Sequence, residues 1–190
     1  MQTAFTGHIP MRGDLRITTR RADTGEPIWR YEIRNTITFG ALSNLVLALA
    51  QKTYGSAGAL NDPTNAQVLY LRVGDNVTAP TRSNTNLLSP LPNSATPYTI
   101  TLVDANKTLT VSGIYEMKIT ATIPAGDLNG STLREAGLFT RGSNVVSALP
   151  GEYPAASGRY PELFARQVHP DIVKNPAFVV DYDWRIAFTS

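Results

Sequence analysis

The chain has 190 residues, 17 Lys and Arg against 15 Asp and Glu for a formal net charge of +2, and no cysteine. That balance argues against nucleic acid as the partner, and the missing thiols exclude disulfide frameworks, cysteine nucleophiles and Cys-based metal sites. A single chain of this length buries roughly 70% of its unfolded surface, and charged residues at 17% leave much of the exterior to Thr, Ser, Asn and Gly, a composition that suits stacking against neighbours.

The N-terminal stretch MQTAFTGHIPMRGD has no basic segment followed by an apolar one, so no signal peptide is expected. Arg12-Gly13-Asp14 spells an adhesion tripeptide but reads as a turn into the first strand. Leu15, Ile17 and Thr19 alternate with Arg16, Thr18 and Arg20; after the turn ADTGEP, Trp29, Tyr31 and Ile33 alternate with Arg30, Glu32 and Arg34. Successive side chains leave opposite faces of a strand, so the segment predicts a β-hairpin with one apolar face. Arg12, Arg16, Arg20, Arg21 and Arg30 form a modest basic cluster beside it.

The period then changes. Leu42, Leu45, Val46 and Leu49 fall at helical spacing behind Thr38 as N-cap, predicting one helix over about 39–52. Its apolar core, ALSNLVLALA, is too short to span a bilayer, for which about 20 residues are needed. VLYLRV at 68–73 predicts a strand covered on both faces, one of them by that helix. Residues 74–97 form a long Pro- and Asn-rich connection, of a length that is often functional; whether it is an inter-subunit arm stays open at this point.

Tyr98, Ile100 and Leu102 alternate up to a turn at Asp104 to Lys107. Leu109, Val111, Tyr115, Met117, Ile119, Ala121 and Ile123 then keep one parity, with a bulge or bend expected at Ser112-Gly113. Further strands are predicted over 134–140, 144–148, 162–168 and 178–189. The last alternates Val180, Tyr182, Trp184, Ile186 and Phe188 with Asp181, Asp183 and Arg185. About eight strands with one helix and no composition break predict a single domain over 1–190, mainly β: an antiparallel β-sandwich of jelly-roll-like type.

Catalytic constellations are sparse. His8 and His169 lack metal-binding spacing and read as loop histidines, and neither a nucleophile elbow nor a phosphate loop is present. Asp181 and Asp183 share a strand face about 7 Å apart, which permits paired-carboxylate or cation chemistry, but a solvated or partner-facing role is expected, with Arg185 available to neutralise one of them. Trp29 and Trp184 read as core residues.

The order of the segments has a further implication. RNTIT, the Gly-Ala-Leu helix, YLRVGDNVTAPTRSNTNLLSPL, IPAGDLNGSTLREAGLFTRG, LFARQVHPDIVKNPAF and DYDWRIAF together resemble virion structural proteins of tailed bacteriophages: collar and neck proteins, baseplate components and tail-fibre attachment domains. The resemblance rests on Glu135, Gly137, Leu138 and Phe139, on Leu163, Phe164, Ala165 and Arg166, on Lys174, and on Trp184, Ile186 and Phe188. It implies a non-enzymatic, cofactor-free, homo-oligomeric component of the particle, assembled in the host cytoplasm. Its partners would be copies of itself in a ring and other neck, tail or fibre proteins, with neither nucleic acid nor membrane.

Because no fibre shaft follows the domain, a collar or neck subunit at the head–tail junction is favoured, with a baseplate or tail-fibre adaptor as alternative. Arg16, Arg20, Arg30, Asp181, Asp183 and Arg185 are the candidate interface residues. Two other readings compete: a carbohydrate-binding β-sandwich using exposed aromatics, and, more distantly, a metal-dependent hydrolase using Asp181 and Asp183.

Overall fold

A computed structural model describes residues 11–38, 68–91, 99–101, 107–112, 114–140 and 163–188. Within them the chain forms β1 (Met11–Arg21), β2 (Pro27–Ile37), β3 (Val68–Gly74), β4 (Thr99–Thr101), β5 (Lys107–Ser112), β6 (Ile114–Ile123), β7 (Thr132–Thr140), β8 (Leu163–Val173) and β9 (Phe178–Phe188). Every pairing is antiparallel, in the order β4-β3-β7-β8-β2-β1-β9-β6-β5. The mainly β, antiparallel class expected from the alternation is the class observed. The predicted helix at 39–52, the strand at 144–148 and His8 lie outside the described residues.

The order divides into two layers at β2. Residues 27–35 of β2 pair with β1, whereas only Thr36 and Ile37 pair with β8, opposite Arg166 and Ala165. A strand that changes sheets in this way makes the corner of a sandwich. One apolar cluster joins Leu15, Ile17, Ile119, Ala121, Ile123, Val180, Tyr182, Trp184 and Ile186 of the first layer to Leu71, Val73, Leu133, Ala136, Leu138, Phe164, Ala165 and Ile172 of the second. The sheet therefore folds back on itself over a shared core.

Strand β9 lies at the centre of the first layer, between β1 and β6. Val180, Tyr182, Trp184 and Ile186 are fully buried, as their parity predicts, and large aromatics of this kind dominate core energetics. Trp29 and Tyr31 stack at 5.7 Å between ring centroids and pack half-buried against the margin of the core.

Several expectations are corrected. Arg12-Gly13-Asp14 is part of β1, not a turn before it. Ser112 pairs with Ile114, so the chain reverses between β5 and β6 instead of continuing as one bulged strand. Consecutive β4 and β5 lie at opposite ends of the order.

His169 is not a loop residue: β8 runs on to Val173, and His169 is 4% exposed. The strand tolerates Pro170 because its pairing with β7 shifts register between Glu135 and Leu133, where a missing N–H costs no ladder bond. Residues 75–91 fold over the outer face of their own second layer, where the Leu88 and Ser89 amides meet Glu135 and Leu87 packs on Phe139 and Leu163.

Candidate functional site

Alternation on β1, β2 and β9 sends every second side chain away from the core, and the register sets these side chains abreast on the outer face of the first layer. Arg34, Asp14, Arg185 and Lys118 form one row across β2, β1, β9 and β6; Glu32, Arg16, Asp183 and Thr120 form the next; Arg30, Thr18, Asp181 and Thr122 form the third. Opposite charges directly across a strand pair stabilise a register, by roughly 0.2–1 kcal/mol each. Arg34 beside Asp14 and Glu32 beside Arg16 follow that rule, while Arg185 beside Lys118 does not.

All six candidate interface residues are thus brought together on one face. Arg20 forms a two-pronged ion pair with Asp181, Nε to Oδ2 and Nη2 to Oδ1 at 3.0 Å, and Thr122 donates to the same carboxylate at 2.7 Å. Hydrogen bonding to Asp181 raises the Arg20 pKa above its ordinary value. Asp183 accepts from Thr120 at 2.6 Å, and Arg16 meets Glu32 at the same separation. Asp181 is therefore matched by Arg20, and each of the two aspartates has its own hydroxyl partner.

Among the other residues of this face are Arg12, Asp14, Glu32 and Arg34. With Arg16 and Arg185 they line a depression of about 290 Å³ on the outer surface. Arg12 and Asp14 are ion-paired at 2.8 Å, and Arg34 is exposed and makes no ion pair among the described residues. Four guanidinium groups against the carboxylates of Asp14 and Glu32 leave the depression net positive. Parity alone points to Glu32 and Arg34, and the basic cluster already includes Arg12; Asp14 is hidden because the tripeptide reads as a turn.

A second constellation lies on the outer face of the opposite layer and includes Glu135, Gly137, Phe139, Leu163 and Arg166. Glu135 and Arg166 form a fully buried ion pair, with Nη2 at 2.7 Å and Nε donating at 2.8 Å to Oε2. The Glu135 carboxylate also accepts the backbone N–H of Ser89 at 2.8 Å and of Leu88 at 3.3 Å. Arg166 Nη1 donates to the Thr78 carbonyl at 3.1 Å and to Asn84 Oδ1 at 3.3 Å. Arg72 donates to Asn86 Oδ1 at 3.1 Å and lies 4.9 Å from the centre of the Phe139 ring. Leu87 packs with Phe139 and Leu163 over Gly137. The arrangement fixes a loop; its carboxylate and guanidinium are spent on one another and on backbone groups.

Lys174 does similar work for the 124–131 turn. It is fully buried, and Nζ donates to the Ala125 and Asn175 carbonyls and to Asn129 Oδ1 at 3.0–3.3 Å, matching its three donors. Burial lowers its pKa. In the core, Tyr182 Oη lies 3.3 Å from His169 Nε2; burial pushes His169 down to about 4 and Tyr182 well up. Among the described residues no three His, Asp or Glu side chains gather as metal ligands would. Comparison of the chain with protein-family models, curated proteins and solved structures gives no match.

Proposed function

We propose that this chain is a non-enzymatic structural subunit of a tailed-bacteriophage particle. The favoured station is a homo-oligomeric collar or neck protein at the head–tail junction, with a baseplate or fibre-adaptor station as alternative. The observation that carries the reading is the outer face of β2, β1, β9 and β6. Its charged side chains stand in rows on hydrogen-bonded strands, a surface whose register is fixed by the strand pairing and of the kind that proteins present to one another.

Two further observations support it. The most elaborate polar cluster, Glu135–Arg166, is occupied in holding the 75–91 loop, not turned toward a cleft. Fully buried Trp184 is closed to a sugar, and Trp29 packs against the core and Tyr31, so neither tryptophan among the described residues offers the carbohydrate reading a clear aromatic platform.

Mass spectrometry of purified particles from an infected culture tests the proposal. The chain is expected at a fixed copy number per virion, surviving density-gradient purification. Its absence from purified particles overturns the reading.

A further inference from the structure

The β1–β2 hairpin carries opposite charge at its two ends. Its tip, 22–26, presents the exposed carboxylates of Asp23 and Glu26. At the other end of the same hairpin, roughly 23 Å away at about 3.3 Å per residue from Arg21 to Asp14, lies the depression bearing Arg12, Arg16, Arg34 and Arg185. Arg21 flanks the tip, but its strand parity sends it toward the opposite face from Arg16 and Arg20.

The tip is also held in one conformation. Arg21 N–H donates to the Glu26 carbonyl at 2.8 Å, Gly25 N–H to the Arg21 carbonyl at 3.0 Å, and Ala22 N–H to the Ala177 carbonyl at 2.9 Å. Asp23 accepts from the Thr24 N–H at 2.8 Å, and Gly25 adopts φ of 73°, a conformation that glycine takes without a Cβ penalty. A rigid tip loses little conformational entropy on docking. Ile28, 56% exposed beside it, adds apolar surface that contact would bury.

We infer that copies of this chain associate head to tail, the Asp23/Glu26 tip of one seating in the Arg12/Arg16/Arg34/Arg185 depression of the next. The inference rests on the structural-subunit reading and names the partner of that same face as a second copy. The two surfaces differ, so the contact is heterologous: repeated by rotation it closes a ring, otherwise it propagates as a filament. Bidentate guanidinium–carboxylate pairing gives it direction. A continuous phosphate backbone is a poorer occupant, because Asp14 and Glu32 interrupt the positive surface. A tip of this size buries less than the roughly 1,200 Å² of a stable pair, so the contact is weak alone and gains strength by repetition around a closed assembly.

Sedimentation velocity at low ionic strength, over rising protein concentration, provides the test. The wild-type chain is expected to grow past the dimer, and added salt to return it to monomer, since screening at 0.1 M acts over about 10 Å. A tip variant (Asp23→Asn with Glu26→Gln) and a depression variant (Arg12→Gln with Arg34→Gln) are each expected to stay monomeric, with unchanged circular dichroism. Mixed in equal amounts they should grow no further than a heterodimer, because one intact tip meets one intact depression and neither free end can continue. A wild-type chain that stays monomeric, variants that assemble like wild type, or a mixture that grows past a heterodimer each overturn the inference. Recovery of the chain in purified virions reads the structural role separately, so the two can fail independently.

Discussion

His169 and Tyr182 face one another in the core, and the imidazole Nδ1 lies 2.9 Å from the Pro170 carbonyl. Burial holds the folded-state pKa of His169 at about 4, against the ordinary 6.5. Between these values the unfolded chain takes up a proton that the fold refuses, so stability is full above about pH 6.5 and falls as the pH drops toward 4. The full penalty is up to about 3 kcal/mol. Asp171, lowered chiefly by its hydrogen bonds to Arg134, is lost only below the usual carboxylate range and does not confuse the window. Urea unfolding at pH 7, 5.5 and 4.5 is expected to show this slope, and His169→Gln to flatten it. An unchanged slope in the variant would show that other groups set the acid limit.

At the scale of elements, the 75–91 loop is the clearest case of sequence serving a local arrangement. Its backbone donors at Leu88 and Ser89 end on a carboxylate that is itself buried against a guanidinium. Removing one partner of such a pair leaves an uncompensated buried charge, costing about 3–5 kcal/mol. Glu135→Ala should lose that much in denaturant titrations and expose Leu88 and Ser89 amides to rapid hydrogen exchange. Glu135→Gln, which keeps an acceptor, should lose less. Gly137→Val gives a second route to the same element. A Cβ there already meets Leu87 and Leu163 at 2.9 Å, so the loop must lift, at about 1–3 kcal/mol, and the same amides should report it. Equal protection in all three variants would show that the loop is held elsewhere.

What the sequence made legible follows from which forces are local. Alternation at 15–20, 29–34 and 178–188 placed β1, β2 and β9 and sorted their inward and outward side chains, because the pleat fixes parity without reference to partners. It therefore also gathered Arg16, Arg20, Arg30, Asp181, Asp183 and Arg185 on a common face. Register was not legible: that Asp14 stands between Arg34 and Arg185 depends on two non-local pairings. The loop cover had no periodic signal at all, being written in single residues, Glu135, Gly137 and Arg166, that are far apart along the chain from the segment they hold. His169 was misplaced because Pro170 reads as a strand breaker, and only a register shift opposite β7 makes it harmless.

For the whole molecule, the order of strands sets a condition on folding. β1 and β9, near the two ends of the described chain, are direct neighbours through the full length of β1, from Met11 opposite Phe188 to Arg21 opposite Phe178. On its other side β9 carries β6 from Tyr115 to Ile123. Without β9 the first layer is split between the β1–β2 hairpin and the β5–β6 hairpin, and an isolated two-stranded hairpin is marginal in water. The core would also lose Val180, Tyr182, Trp184 and Ile186 together. A chain ending before Phe178 is therefore expected to show no cooperative thermal transition and to expose apolar surface, while one ending after Phe188 unfolds like the full chain. Contacts of such separation also close slowly, so refolding of the intact protein, followed by tryptophan fluorescence, should fall in the millisecond-to-second range of all-β domains. A truncated chain that still melts cooperatively would show that the two hairpins pair without β9 and that the order of the first layer is wrong.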